Sequence, residues 1–282
     1  MASRKGGEVN RTREFPVKTQ KIAAALAIVS SAAFVAACGE DSPMSESTTD
    51  ASSETVATEP SVSANSLPQG SEPSNIDPAE FTTQIDNPYL PYTQGSRWVY
   101  TETEAGEPDQ KVVVEVTDQT KMIENGVEAI VVRDTVTEGG EPVEITDDWY
   151  AQDSEGNVWY LGEDTADYEN GKVVSRSGSF EAGVDGADAG VVMPANPEVG
   201  MGYRQEYYEG EAEDEAAVLS LDEKAEVPLD YYSTTLMTKD LVPLEPKVSE
   251  MKFYAEGVGL VLAIGTSGGA GREELVSYTP GG

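Results

Sequence analysis

The chain has no histidine and a single cysteine, Cys38. Without histidine it cannot build a Ser-His-Asp triad, a Cys-His dyad or a His-ligated zinc centre. One cysteine excludes an internal disulfide. Basic residues are scarce: 18 Lys and Arg stand against 52 Asp and Glu in 282 residues, a net charge of −34. Such a balance repels nucleic-acid phosphates at long range and excludes DNA and RNA as partners. There is no Gly-x-Gly-x-x-Gly after a strand pattern, no P-loop and no internal repeat of about 20–50 residues. No cofactor is expected.

The few basic residues are unevenly placed. Six of them, Arg4, Lys5, Arg11, Arg13, Lys18 and Lys21, fall in the first 21 residues. An uncharged apolar run follows, from Ile22 to Ala37, and leads into Val35-Ala36-Ala37-Cys38-Gly39. A positive region, an apolar region and small residues before a cut make a secretory signal. The run of 16 residues is short of the roughly 20 that a transmembrane helix needs. Arg11 and Arg13 are separated by Thr12, so the twin-arginine motif is absent and the general secretory route is expected.

Val35-Ala36-Ala37-Cys38 resembles the lipobox of bacterial lipoproteins. The resemblance implies cleavage before Cys38 and acylation of Cys38, which would tie the protein to the lipid membrane, at the outer face of the bacterial cytoplasmic membrane or in the cell envelope. Two acyl chains on one residue suffice for stable anchoring. Loss of residues 1–37 removes six basic and two acidic residues and takes the net charge to −38.

Residues 39–78 hold no aromatic residue and no Lys or Arg, but fourteen Ser or Thr, eight acids and five prolines. A segment of this kind buries too little apolar surface to offset the entropy of ordering. The expected organisation is a signal peptide over 1–37, a disordered acidic tether over 38–78 and one β-rich domain over 79–282. All three Trp and all thirteen Tyr lie in that last part.

Turn residues punctuate the domain at short intervals. Asn125-Gly126 and Asn170-Gly171 are type I′ candidates, since both residue types tolerate positive φ. Gly139-Gly140 and Asp153-Ser154-Glu155-Gly156 separate further Val-, Ile- and aromatic-rich segments. Neighbours joined by tight turns make an antiparallel meander. About eleven or twelve strands are expected, with 211–221 open between helix and strand. A meander of that size curls or closes, because an open sheet leaves unpaired edges. The predicted fold is therefore all-β, a curved open sheet or a barrel.

Two short stretches carry a second resemblance. Gly95-Ser96-Arg97-Trp98-Val99-Tyr100 resembles the opening strand of secreted bacterial β-rich domains of the TapB-like and LolA-like kind. Tyr254-Ala255-Glu256-Gly257-Val258-Gly259-Leu260-Val261 is similar to their closing hairpin. Val227-Pro228-Leu229-Asp230-Tyr231 departs from their usual middle turn. The resemblance implies a β fold and no assigned activity.

Candidate sites each have a plain alternative. Trp149 and Trp159 flank the 153–156 turn, either as a stacking platform for a flat ligand or as sheet packing. Asp147, Asp148, Asp153, Glu155, Glu163 and Asp164 crowd the same hairpin, and a carboxylate pair there is enough for glycoside cleavage. With 42 acids in the domain, chance pairs are also expected. Residues 179–200 read as a long Gly- and Asp-rich loop in which Glu181, Asp185 and Asp188 are candidate ligands for a hard cation such as calcium. The spacing does not fit an EF-hand. Val112, Val114 and Val116 share one face of a strand, as do Ala129 and Val131, so an apolar lining for a lipid is possible and an ordinary closed core equally so. The leading expectation is a non-enzymatic binding or envelope-maintenance lipoprotein. An acidic module that binds cations or polymers, and a carboxylate-only hydrolase, are the rivals.

Overall fold

The computed structural model describes residues 67–267 and 271–282. A single 3-10 turn, Pro78–Glu80, precedes sixteen strands. The first nine are β1 Phe81–Thr82, β2 Arg97–Thr103, β3 Gln110–Met122, β4 Glu128–Glu138, β5 Glu141–Asp153, β6 Val158–Glu169, β7 Lys172–Ser175, β8 Phe180–Glu181 and β9 Asp188–Met193. The rest are β10 Gly202–Arg204, β11 Glu206–Tyr207, β12 Glu215–Glu226, β13 Tyr231–Leu241, β14 Ser249–Ala255, β15 Gly259–Ser267 and β16 Arg272–Thr279. The all-β expectation is correct, and the meander nearly closes into a barrel. β2 to β6 pair in chain order and continue to β9 and β11; β12 to β16 pair in chain order and return to β2. β10 and β11 stand at the two ends of this path, separated in sequence by Gln205 alone. One continuous stretch, 202–207, therefore bridges the seam of the barrel. A closed sheet has no long unpaired edge to protect.

The turns sort by length. Gly139-Gly140 links the paired residues Glu138 and Glu141, and Asn170-Gly171 links Glu169 and Lys172. Both central residues have positive φ in each, 52° and 70° at Asn170 and Gly171, as a type I′ turn requires. Asn125-Gly126 differs from expectation. Its loop is closed one residue wider, with the Ile123 amide bonded to the Val127 carbonyl, and only Gly126 has positive φ, 93°. The Asn125 side chain accepts from the Val127 amide, an Asx contact that serves the wider loop. The 153–157 turn repeats this geometry.

Several boundaries also move. The chain from Val158 to Glu169 is one long strand, β6, running through Gly162. The 179–200 stretch is not a single loop, because Asp188–Met193 is barrel strand β9. The ambiguous 211–221 segment becomes strand from Glu215 onward. The ordered domain also begins well before residue 79. Residues 67–77 are strapped across the seam by Arg204, which is only 1% exposed. Its backbone amide donates to Pro68 O, and its guanidinium to the carbonyls of Gly70, Glu72 and Ala189. Asp188 pairs with the same guanidinium and accepts from Ser74. The buried guanidinium takes carbonyl acceptors from Gly70 and Glu72, so this part of the acidic segment is fixed despite its composition.

Alternation places the apolar residues on two faces. Val112, Val116, Ile130, Val132, Tyr150, Tyr160 and Leu275 point into the barrel, and Val114 packs against them. Ala129 and Val131, expected to extend that lining, lie in a second cluster with Trp149, Leu161 and Ala189. Ile130 and Val132 take the inward places between them.

The seam depends on Gly190. A Cβ at that position would lie 2.3 Å from the Gln205 carbonyl carbon and 2.6 Å from Arg204 O, both backbone atoms. Nearby Gly202 has its nearest such neighbour at 3.8 Å. Gly190→Ala is predicted to destabilise the fold by roughly 1–3 kcal/mol or more, and Gly202→Ala by about 0.5 kcal/mol or less. Urea unfolding of the two variants checks the difference.

Candidate functional site: a carboxyl-lined interior

The inside of the barrel is not purely apolar. Asp134 of β4, Asp148 of β5, Lys252 of β14 and Glu273 of β16 line an interior cavity of about 40 Å³, together with Tyr92, Trp98, Tyr150 and Tyr254. All four charged residues are buried. Each sits at the parity of inward apolar neighbours: Asp134 between Val132 and Val136, Asp148 before Tyr150, Lys252 before Tyr254, Glu273 before Leu275. That parity is the signal in the sequence that identifies them.

Two adjacent cross-strand pairs show how the register sorts equal residues. Asp147 faces Asp164, and Asp148 faces Glu163. Like charges directly opposite one another are destabilising. The outer pair is neutralised by arginine: Arg133 holds Asp147 in two hydrogen bonds of 2.7 and 2.6 Å, and Arg176 pairs with Asp164. The inner pair has only the Tyr160 hydroxyl, 2.7 Å from Asp148 Oδ1 and 2.7 Å from Glu163 Oε2. A hydroxyl has one proton to donate. The second short contact requires that one of the two carboxyls be protonated and donate back. Glu163 faces inward because β6 bulges: Tyr150 and Asp148 are matched by Tyr160 and Glu163, one residue further apart. Gly162 lies inside that bulge. Simple alternation from Tyr160 would have turned Glu163 outward.

Burial raises the carboxyl pKa values in the interior. It pushes Asp148 up to about 7, with the Tyr160 hydrogen bond opposing and Asp147 adding. It pushes Glu144 up to about 7, aided by Asp167 and Asp148. Asp134, Glu163 and Glu273 are raised well above the carboxylate range, first by burial and then by neighbouring acids. At the seam, burial and Asp214 raise Glu206 well up, and burial pushes Asp214 up to about 8. Burial alone would deprotonate Lys252, but Asp240 and Glu250 hold its pKa above the usual lysine value. Lys252 Nζ lies 2.8 Å from Asp240 and 3.6 Å from Glu250.

The other residues singled out from the sequence are dispersed. Trp149 and Trp159 are not opposite one another: Tyr150 pairs with Tyr160, and Trp159 with Ala151. Both Trp rings belong to the outer cluster. Lys121 covers Trp149 at 4.3 Å, and Phe81 packs edge-on to Trp159 at 5.8 Å. Asp153 caps its own turn, accepting from the amides of Glu155 and Asn157 and from Trp159 Nε1. Glu155 stands exposed in the same turn. Of the six clustered acids two pairs come together, Asp147 with Asp164 on the outside and Asp148 with Glu163 inside, and the inner pair is enclosed and bridged by one hydroxyl, with no room for a sugar. Glu181 pairs with Lys121 at 2.9 Å and accepts from the Glu124 amide. Asp188 is taken up by Arg204 and Ser74, and Asp185 is exposed in a positive-φ turn. Among the described residues no group of three or more acids stands at metal-ligating spacing. Cys38 lies outside the described residues.

No known family pattern matches the chain, and no characterised protein matches it in sequence. Two solved structures are similar over 68% of the chain. A Bacteroides fragilis protein, described as exported and as having a YmcC-like fold, shares 14% identity at a TM-score of 0.39 and is covered over 99% of its length. A Parabacteroides distasonis protein, described as a lipoprotein, shares 12% identity at a TM-score of 0.37 and is covered over 98%. Similarity at this level carries no argument about function.

The interior carboxyls give stability a direction with pH. Their folded pKa values lie above the unfolded values near 4, so the folded state binds more protons over the intervening range. Their contribution is whole below about pH 4 and is lost as pH rises through about 7 to 8. The thermal midpoint is predicted to fall between about pH 5 and pH 8 by about 5 °C or more. Asp148→Asn should flatten that slope, which separates the interior effect from repulsion between surface acids. A slope unchanged in the variant would refute the assignment.

Proposed function

We propose that the protein is a lipid-anchored, extracytoplasmic lipoprotein whose barrel is a non-enzymatic interaction module of the cell envelope. The observation that carries this reading is the position of the only cysteine. Cys38 follows Val35-Ala36-Ala37 at the end of an uncharged apolar run, and the barrel with its strap begins at Leu67. Acylation at Cys38 supplies the anchor, and the intervening acidic segment holds the barrel away from the bilayer. A cavity of about 40 Å³ admits molecules of the size of water. This interior cavity has no space for an acyl chain, whereas clefts of about 520 and 550 Å³ lie beside Thr117, Asp118 and Gln119, so the interior itself favours an acidic module for cations or envelope polymers.

Cys38→Ala tests the reading. In a bacterial host the variant is expected in the soluble or secreted fraction, while the parent chain stays with membranes through an alkaline wash. A variant that still sediments with membranes after that wash would overturn the anchor.

A further inference from the structure

The cavity has an unmet requirement. Asp134 is 1% exposed, and neither of its carboxyl oxygens has a hydrogen-bond partner. Glu273 is 2% exposed, and its Oε2 is likewise unpartnered. Both line the same cavity. The lysine beside them is committed to Asp240 and Glu250 on β13 and β14. The acids acting on Asp134 are Asp148 and Glu144 of β5, Glu273 of β16 and Glu102 of β2. None of them can donate a proton while ionised. Buried acceptors without donors are costly, and more so when charged.

We infer that the cavity is a binding site for a small ammonium-type cation. Such an ion brings positive charge and several N–H donors at once, and three orphaned acceptor atoms face it: both oxygens of Asp134 and Oε2 of Glu273. Tyr92, Trp98 and Tyr150 line the remaining wall, and a desolvated cation gains wherever it meets an aromatic ring face. Water would supply hydrogen bonds without charge, which suffices for these carboxyls only while burial keeps them protonated. A proton would neutralise one carboxyl and leave its second oxygen unpaired. Calcium asks for six to eight oxygen ligands, and no triad of acids at ligating spacing exists among the described residues. A volume of about 40 Å³ suits an ion near the size of water and excludes larger ones. This site is independent of the anchor at Cys38.

Thermal unfolding of the full chain carrying Cys38→Ala tests the inference at about pH 8, where fewer interior carboxyls hold protons. In roughly 100 mM ammonium chloride the midpoint should exceed that in tetramethylammonium chloride of equal ionic strength by about 3 °C. Asp134→Asn should abolish the difference, and Glu273→Gln should reduce it. If Asp134→Asn does not fold, Glu273→Gln carries the test. Equal midpoints in the two salts would overturn the site. Equal stabilisation by potassium, which has no donors, would overturn the ammonium assignment, and so would stabilisation by calcium alone.

Discussion

The cost of removing carboxyl groups from water governs this barrel. An isolated buried carboxylate is so unfavourable that it changes its protonation state instead. The interior meets that cost in two ways. Lys252 offsets Asp240 and Glu250 directly, while Asp148 and Glu163 share a proton across Tyr160. The aromatic wall contributes to the same end. Trp98 Nε1 and Tyr100 OH donate to the carbonyls of Val258 and Leu260, which fixes two rings that line the same cavity as the acids. On the outer surface of the same strands Asp147 and Asp164 are held in ion pairs open to solvent, where the geometry is less exacting and the energies are small.

What could be read from the sequence follows from this. The fold class was legible, because turn residues act locally: Gly139-Gly140 and Asn170-Gly171 form the tight turns their chemistry favours. The interior was not. Asp147 and Asp148 are neighbours of one type, and only strand register decides that the first meets Arg133 in solvent and the second meets Tyr160 inside. Glu163 is harder still, because the bulge around Gly162 reverses the alternation that a sequence pattern assumes. Composition also misled at 67–77, where Ser, Pro and acidic residues look unstructured. The backbone carbonyls of that segment, not its side chains, make the contacts with Arg204. Trp149 and Trp159 were conspicuous as aromatic residues, but they sit on the outer face and are covered by Lys121 and Phe81.

Closure of the sheet shapes the rest. β16 returns to β2, so the two ends of the domain are paired from Arg97 to Thr103. The opposite side is closed by the short 202–207 segment, where Gly190 permits backbone to approach backbone. One side of the ring is thus a long ladder, and the other is a narrow junction secured by a single arginine.

The strap gives that asymmetry a mechanical meaning. Any tension entering the domain at Leu67 reaches β10 first, through Gln69 to Gly202 and through Arg204 to Pro68, Gly70 and Glu72. It does not reach β2 first, which is held on both sides by β3 and β16. The load path therefore runs into the weakest closure of the barrel. Under load the ring would part between β9 and β10, with its twelve-residue strand β12 still paired to β13, and the carboxyl-lined interior would meet water before the long ladder gave way.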